Sequence, residues 1–294
     1  MKTHHYFSLF IALVLIFAPS LISQEILFEF STEPEPVSLA IDSKGEVYVA
    51  NASLETPPDN CKIQKYTSEG IFLRTFIDYL QPVQHKFNRY APLDLTLDDE
   101  NQLYVLAKPF FEATPGKWTA YNGFSILQYD STGSLVREHS RFMNRRPTSL
   151  FYHNKSIFML SEKILQFHPD TGYLTEHHYY TEAGGSFVLD EIADFVIDSN
   201  HNFWATGCRE ESDGFASFIL KIRADGLHLM QFQIPGRDSS IIYPRIAINN
   251  TDDIYLTIDE IGEVQKFNST GHILGRVDLR PDSTTSVALK SIAV

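Results

Sequence analysis

The stretch Val37–Phe76, VSLAIDSKGEVYVANASLETPPDNCKIQKYTSEGIFLRTF, carries the pattern to which the rest of the chain returns. An apolar strand ends at Asp42, a tight turn runs through Gly45, and a second strand occupies Glu46–Ala50. After a variable loop come a strand ending at Tyr66, a turn closing on Gly70 and the strand Ile71–Phe76. Four short strands punctuated by two polar turns make about one propeller blade.

Outward from that stretch the pattern recurs at intervals of roughly fifty residues. The second-strand aromatics Tyr48, Tyr104, Phe158, Trp204 and Tyr255 set the register. At a fixed distance before them lie Asp42, Asp98, Tyr152, Asp198 and Asn249. Asp and Asn at a strand end bond their own downstream backbone in tight turns, which accounts for these side chains without a metal. The second half of the unit repeats too. Tyr66, Tyr129, Phe167, Ile222 and Phe267 end a strand, and Gly70, Gly133, Gly172, Gly226 and Gly271 follow, where a hairpin loop needs a left-handed residue. Both signals occur in the same five units, so the sequence predicts five blades.

These units resemble the NHL-type and related bacterial six-bladed β-propellers. That repeat reads Pro–x–x–apolar–x–apolar–Asp, Gly–x–apolar–Tyr–Val, then apolar–x–Lys–aromatic, turn, Gly. Leu39–Asp42 with Gly45–Val49 and Ile63–Tyr66 matches it closely. Ile246–Asn249 with Ile254–Leu256 and Val264–Phe267 matches with Asn in place of Asp. The third unit departs most, with Tyr152 at the Asp position and no glycine in its first turn. The resemblance covers nearly everything after residue 23. It implies an all-β, six-bladed β-propeller: five complete four-stranded blades plus an incomplete sixth, begun by Val287–Val294 and closed by the N-terminal strand Glu25–Phe30. Such propellers host many activities, so it speaks for fold and little for function.

Residues 1–23 read as a secretory signal peptide. Lys2, His4 and His5 precede the apolar run Phe7–Ala18, which is short for a membrane span. An uncleaved anchor is the rival reading. The propeller domain then occupies residues 24–294, is extracytoplasmic (periplasmic or secreted), and has no membrane span in the mature chain. Because the sixth unit stops after one strand, the chain reads as C-terminally incomplete, or as a ring with a gap between blades five and one. The net charge is −13 and the 24 basic residues are dispersed, which leaves no footprint for nucleic acid. Cys61 and Cys208 fall in blades one and four, which face each other across a six-bladed ring, so two separate thiols are expected.

In this architecture the first strands line the channel, and their entry loops share one rim with the loops between second and third strands. Of the 11 histidines, His153, His201, His168 and His272 fall in turns of the opposite rim, and His177, His178 and His228 on outer strands. Only His85 and His139 approach the binding rim, without a third ligand at matching register, whereas zinc catalysis wants three converging protein ligands. No Gly–x–Ser–x–Gly elbow is present, and no Ser, His and acid come together by pattern. The sequence therefore assigns no catalytic and no metal residue.

The candidate site is the ring that opens the first strands: Ser38, Asp94, Thr148, Asp194, Arg245 and, by extrapolation, Ser291. Two carboxylates and a guanidinium there would grip a charged or hydroxylated ligand, with Arg146, Tyr243, Arg89 and Arg145 at the same entry. The competing reading makes these residues interblade hydrogen bonds that seal the channel. Calcium held by Asp94 and Asp194 is a further alternative; otherwise no cofactor is implied. The insertion Lys108–Asn122 adds Phe110, Phe111, Trp118 and Tyr121 to the rim, as stacking surfaces or as aromatics folded onto the propeller itself. The reading is an extracytoplasmic binding or interaction module whose partner is a small molecule (sugar, peptide or small acid), a glycan or a protein. A metal-dependent lyase or lactonase at the channel mouth, and a structural scaffold of an envelope assembly, are the alternatives.

Overall fold

A computed structural model describes residues 36–52, 61–78, 89–115, 117–121, 123–139, 147–161, 164–177, 191–211, 214–234, 244–258 and 262–279. The leader, the closing strand Glu25–Phe30 and the sixth unit lie outside these residues, as do His85, Arg145, Arg146, Tyr243 and Ser291.

Five blades follow one another in the chain. Blade one contains β1 (Pro36–Ile41), β2 (Val47–Asn51), β3 (Lys62–Tyr66) and β4 (Phe72–Asp78). Blade two contains β5 (Arg89–Leu97), β6 (Leu103–Thr114), β7 (Lys117–Ala120), β8 (Ser125–Tyr129) and β9 (Leu135–His139). Blade three is β10 (Ser149–His153), β11 (Ser156–Leu160), β12 (Ile164–His168) and β13 (Tyr173–His177). Blade four is β14 (Glu191–Ile197), β15 (Phe203–Glu211), β16 (Gly214–Ile222) and β17 (His228–Gln233). Blade five is β18 (Ile246–Ile248), β19 (Ile254–Ile258), β20 (Glu263–Phe267) and β21 (Ile273–Asp278). Each is an antiparallel meander in chain order, with β7 added to blade two as a hairpin on β6. The first strands β1, β5, β10, β14 and β18 pack side by side in that order, so the blades stand in a ring.

Alternation along the strands explains the packing. A strand sends successive side chains to opposite faces, and a blade inside a ring is covered on both. Tyr48, Ala50 and Ile63 of blade one meet Leu95, Leu103, Val105 and Leu127 of blade two. Tyr104, Leu106 and Ile126 of blade two meet Leu150, Ile157 and Met159 of blade three. Phe158 and Leu160 meet Phe195, Phe203 and Ala205, and Trp204 and Ile219 meet Ile254, Leu256 and Phe267. The register aromatics of blades one to four point to the next blade, and Tyr48, Trp204 and Tyr255 are fully buried.

The first turns behave as their sequence predicts. Asp42 Oδ1 accepts from the amides of Lys44 (3.0 Å) and Glu46 (2.9 Å). Asp98 accepts from Glu100 and Gln102, Asp198 from Asn200 and Asn202, and Asn249 from Thr251 and Asp253. In blade three the turn is a residue shorter, Asn154–Lys155, with φ of 47° and 59°. Two successive left-handed residues make the tight hairpin that needs no Asp cap, hence Tyr152. In the second turns Gly133 sits at φ 92°, and a Cβ there would lie 2.6 Å from the Phe76 carbonyl oxygen of the preceding blade. That position accepts only glycine.

Candidate functional site

The first strands enclose a central cavity of about 270 Å³, lined by Leu39–Ile41, Asp94–Leu97, Ser149–Tyr152, Asp194–Val196 and Ile246–Ile248. At its mouth the chain enters blades one, two and four through a bulge: Pro36/Ser38, Pro92/Asp94 and Ile192/Asp194 all shift register there. A bulge turns the strand so that one side chain aims inward and sideways at once.

Those side chains bridge neighbouring blades. Ser38 Oγ donates to Asp94 Oδ1 at 2.5 Å, and the Leu95 amide donates to Ser38 Oγ at 3.2 Å. Asp94 Oδ2 in turn accepts the Leu150 amide of blade three at 2.5 Å. One blade further on the arrangement repeats. Ser149 Oγ donates to Asp194 Oδ1 at 2.6 Å, the Phe195 amide donates to the same oxygen, and the Ile246 amide of blade five donates to Oδ2 at 3.2 Å. Each carboxylate thus takes a hydroxyl from the blade before and an amide from the blade after. Both are saturated on the sides that join blades.

The ring residue of blade three is therefore Ser149, not Thr148. Pairing shows it: Ser38 faces Ala50, Asp94 faces Leu106 and Asp194 faces Thr206, each two residues beyond the register aromatic, and in blade three that partner, Leu160, faces Ser149. Counting back from Phe158 misplaces it because the Asn154–Lys155 turn is shorter. Thr148 is exposed.

Electrostatics follow from burial. Desolvation pushes the Asp94 carboxyl up to about 6, with Asp194 across the channel adding to it; the Ser38 hydroxyl and Leu150 amide pull back. Asp194 is also raised by burial, against the opposing charge of Arg245 and its hydroxyl and amide donors. Arg245 occupies the fifth ring position, its backbone tied to Thr257 on β19. Its guanidinium acts on both carboxylates through space. Among the described residues it forms no hydrogen bond or ion pair, and the residue is half-buried.

The other rim candidates separate from this ring. Arg89 opens β5 opposite Phe110, about 17 Å along the strand from Asp94. The insertion is a β-hairpin, β6 running on to Thr114 and returning as β7, with Trp118 paired to Glu112 by its backbone. Phe110 packs against the cluster of Ala52, Cys61 and Ala91, so this aromatic folds onto the propeller. In blade four β15 and β16 extend to Glu211 and Gly214 as a second long hairpin between second and third strands. The sequence does carry a turn signal at each tip, Pro115–Gly116 in blade two and Asp213–Gly214 in blade four, dipeptides that mark these extensions as hairpins rather than irregular loops.

His139, which sequence placed near the rim, lies edge-on to Phe167 at 4.8 Å, and burial pushes its imidazole down to about 4. Among the described residues no three His, Cys, Asp or Glu side chains gather around a point where one metal ion would fit. Cys61 and Cys208 are both buried and are not joined in a disulfide.

No protein-family model matches the chain, and no curated protein matches it either. Solved structures do. A protein of unknown function from Bacteroides thetaiotaomicron aligns over 88% of this chain and 64% of its own at 11% identity, TM-score 0.54. The PQQ-bound aldose sugar dehydrogenase of Streptomyces coelicolor aligns over 88% and 85% at 13% identity, TM-score 0.53. A streptogramin B lyase aligns over 88% and 86% at 12% identity, TM-score 0.51. The structural neighbours are six-bladed β-propellers, and at these identities they establish the all-β propeller fold alone.

Proposed function

We propose that this chain is an extracytoplasmic β-propeller binding module whose ligand sits at the channel mouth and is anchored by Arg245. One observation carries the reading: the half-buried Arg245 guanidinium has no hydrogen-bonding partner among the described residues, whereas Asp94 and Asp194 are taken up in joining blades. A guanidinium offers five N–H donors in a fixed fork and seeks acceptors in one plane. Two carboxylates nearby and one cation leave the ring with net negative character. That combination suits a ligand presenting hydroxyl, carbonyl or single-carboxylate oxygens, a sugar, peptide or small acid, over a polyanion. Arg146 and Tyr243 belong to the same entry in this reading, with Trp118 on the hairpin above it and Arg89 farther out along β5. The leader of residues 1–23 exports the module.

The test is a thermal-shift and calorimetric screen of neutral sugars, hydroxy acids and short peptides on wild type and Arg245→Ala. At least one compound should bind wild type and bind the variant ten- to a hundredfold more weakly, since a charge-assisted hydrogen bond is worth roughly 1.5–3 kcal/mol. Equal binding to both proteins, or none to wild type across the screen, refutes the assignment.

A further inference from the structure

The first-to-second strand turns form a second ring, at the end of the channel opposite Arg245, and adjacent turns touch. Between blades one and two, Asn101 Nδ2 donates to Ser43 Oγ at 3.0 Å, and the Ser43 amide donates back to Asn101 Oδ1. Between two and three, the Tyr152 hydroxyl donates to Asp99 Oδ2 at 3.1 Å. Between four and five, Ser199 donates through amide and hydroxyl to both oxygens of Asp252. Every one of these pairs joins a clear donor to a clear acceptor.

Blades three and four are joined differently. His153 Nε2 and His201 Nδ1 face each other at 2.7 Å, with the rings 4.9 Å apart and 76° from coplanar. Two imidazoles hold such a bond only when one nitrogen carries a proton and the other does not. Against the hydroxyl–carboxylate and amide–hydroxyl pairs around it, this is a poorer adhesive. It is a better chelate. Two imidazole nitrogens on adjacent, rigid turns converge from separate blades, His201 is exposed, and the carboxylates of Asp99, Asp198 and Asp252 lie close enough to make the surroundings electronegative.

We propose that His153 and His201 form a surface site for a divalent transition-metal ion of the zinc type, clipping blade three to blade four. Imidazole suits zinc, copper and nickel over the hard cations. Cis ligands on one ion sit slightly farther apart than two hydrogen-bonded nitrogens, so the rings must part by a few tenths of an ångström and turn until both lone pairs meet off the N···N line, while the donor ring carries its proton on its other nitrogen instead. Among the described residues no third His, Cys, Asp or Glu completes the set. Solvent therefore fills the remaining positions, and the site is structural. It lies away from the Arg245 ring and stands or falls independently of the ligand there.

Zn²⁺ alone, titrated calorimetrically into the full chain and into His153→Gln and His201→Asn, tests this. Both replacements keep a hydrogen-bonding side chain, and Asn tolerates the left-handed backbone at residue 201 (φ 62°). We expect one equivalent of zinc fewer in each variant than in wild type. Zinc should also raise the melting temperature of wild type and leave both variants unmoved, since an ion that binds only the folded state stabilises it. Far-UV circular dichroism checks that each variant is folded. Identical stoichiometry in all three proteins, loss in only one variant, or no uptake by wild type would each show that the two histidines only share a proton.

Discussion

Asp94 and Asp194 begin the inner part of their strands at the channel mouth; Asp98 and Asp198 end the same strands four residues later. All are aspartates on channel-lining strands, and their electrostatic fates diverge. Burial drives Asp94 and Asp194 upward, and each takes a hydroxyl and an amide from the blades on either side. Asp198 also meets a desolvation penalty, but Lys221 at 2.9 Å, Asn202 and the Trp204 indole outweigh it and hold the carboxyl below its ordinary range. Asp42 does the same with its turn amides and Lys65. Asp98 has Gln128 across the strand where the others have lysine, and burial leaves it raised. Carboxylates at the mouth join blades, and carboxylates at the turns fold one blade. A third-strand lysine decides which of the turn groups sits at low pKa.

The comparison breaks most visibly at Asp194. Replacing it with alanine strands the Ser149 hydroxyl and the Ile246 amide inside the ring. Each orphaned group costs about 1–3 kcal/mol, so urea unfolding should show a loss of roughly 3 kcal/mol or more. A loss below about 1 kcal/mol would mean that the blades do not depend on this bridge.

Lys221→Met probes the other end. It removes the cation from the buried Asp198 and from the face of Trp204, 4.6 Å from the ring centre. The apolar stem is kept, so the cost is electrostatic, roughly 2 kcal/mol. The turn bonds to Asn200 and Asn202 survive, and the fold with them. Gln128 already occupies this place in blade two; an effect as small as a surface substitution would show that the lysine is dispensable in blade four as well.

Much of this was legible in the sequence and some was not, for a physical reason. The turn aspartates repeat because a turn closes on residues two and four positions away, so the pattern is local and survives variable loops. Tyr48, Trp204 and Tyr255 with Lys65, Lys221 and Lys266 stack across paired strands, and the Lys–aromatic spacing recurs with them. The bridges at the mouth are nonlocal. Ser38 and Asp94 lie 56 residues apart, Ser149 and Asp194 45. A ring of Ser, Asp, Thr, Asp and Arg reads from sequence either as a ligand grip or as a seal between blades, and the geometry shows the aspartates engaged between blades. Ser149 was missed for Thr148 because a shorter turn moves the count by one residue. The His153–His201 contact was hidden for the same reason as the bridges: two turns that share a rim in the fold are 48 residues apart in the chain.

Acid titration separates the two regions by window. Asp94 has its folded-state value near 6, above that of the unfolded chain. The folded state therefore takes up a proton first as pH falls, and stability rises between pH 7.5 and 5, by roughly 1 kcal/mol from this group. Asp42 and Asp198 are depressed, so their contribution is intact across that window and is lost only at more acid pH. Asp94→Asn should flatten the rise between pH 7.5 and 5 and leave the acid limb in place. An unchanged profile would place the Asp94 carboxyl in an ordinary solvated setting.

The smallest expected effect is that of Arg245→Ala on folding. The guanidinium touches neither carboxylate, and its through-space attraction across a half-open channel is worth about 1 kcal/mol or less at pH 7.5. That attraction opposes the burial-driven rise at both aspartates, so losing it lifts them further and they protonate earlier. Once Asp94 is neutral, the cation has less to stabilise. The stability difference between wild type and variant should therefore shrink as pH is lowered from 7.5 to 5, while the Asp94 carboxyl resonance, followed by NMR, titrates at higher pH in the variant. A larger penalty that persists at pH 5 would mean that Arg245 holds the blades together as Asp194 does, and the mouth would then be a seal on every side.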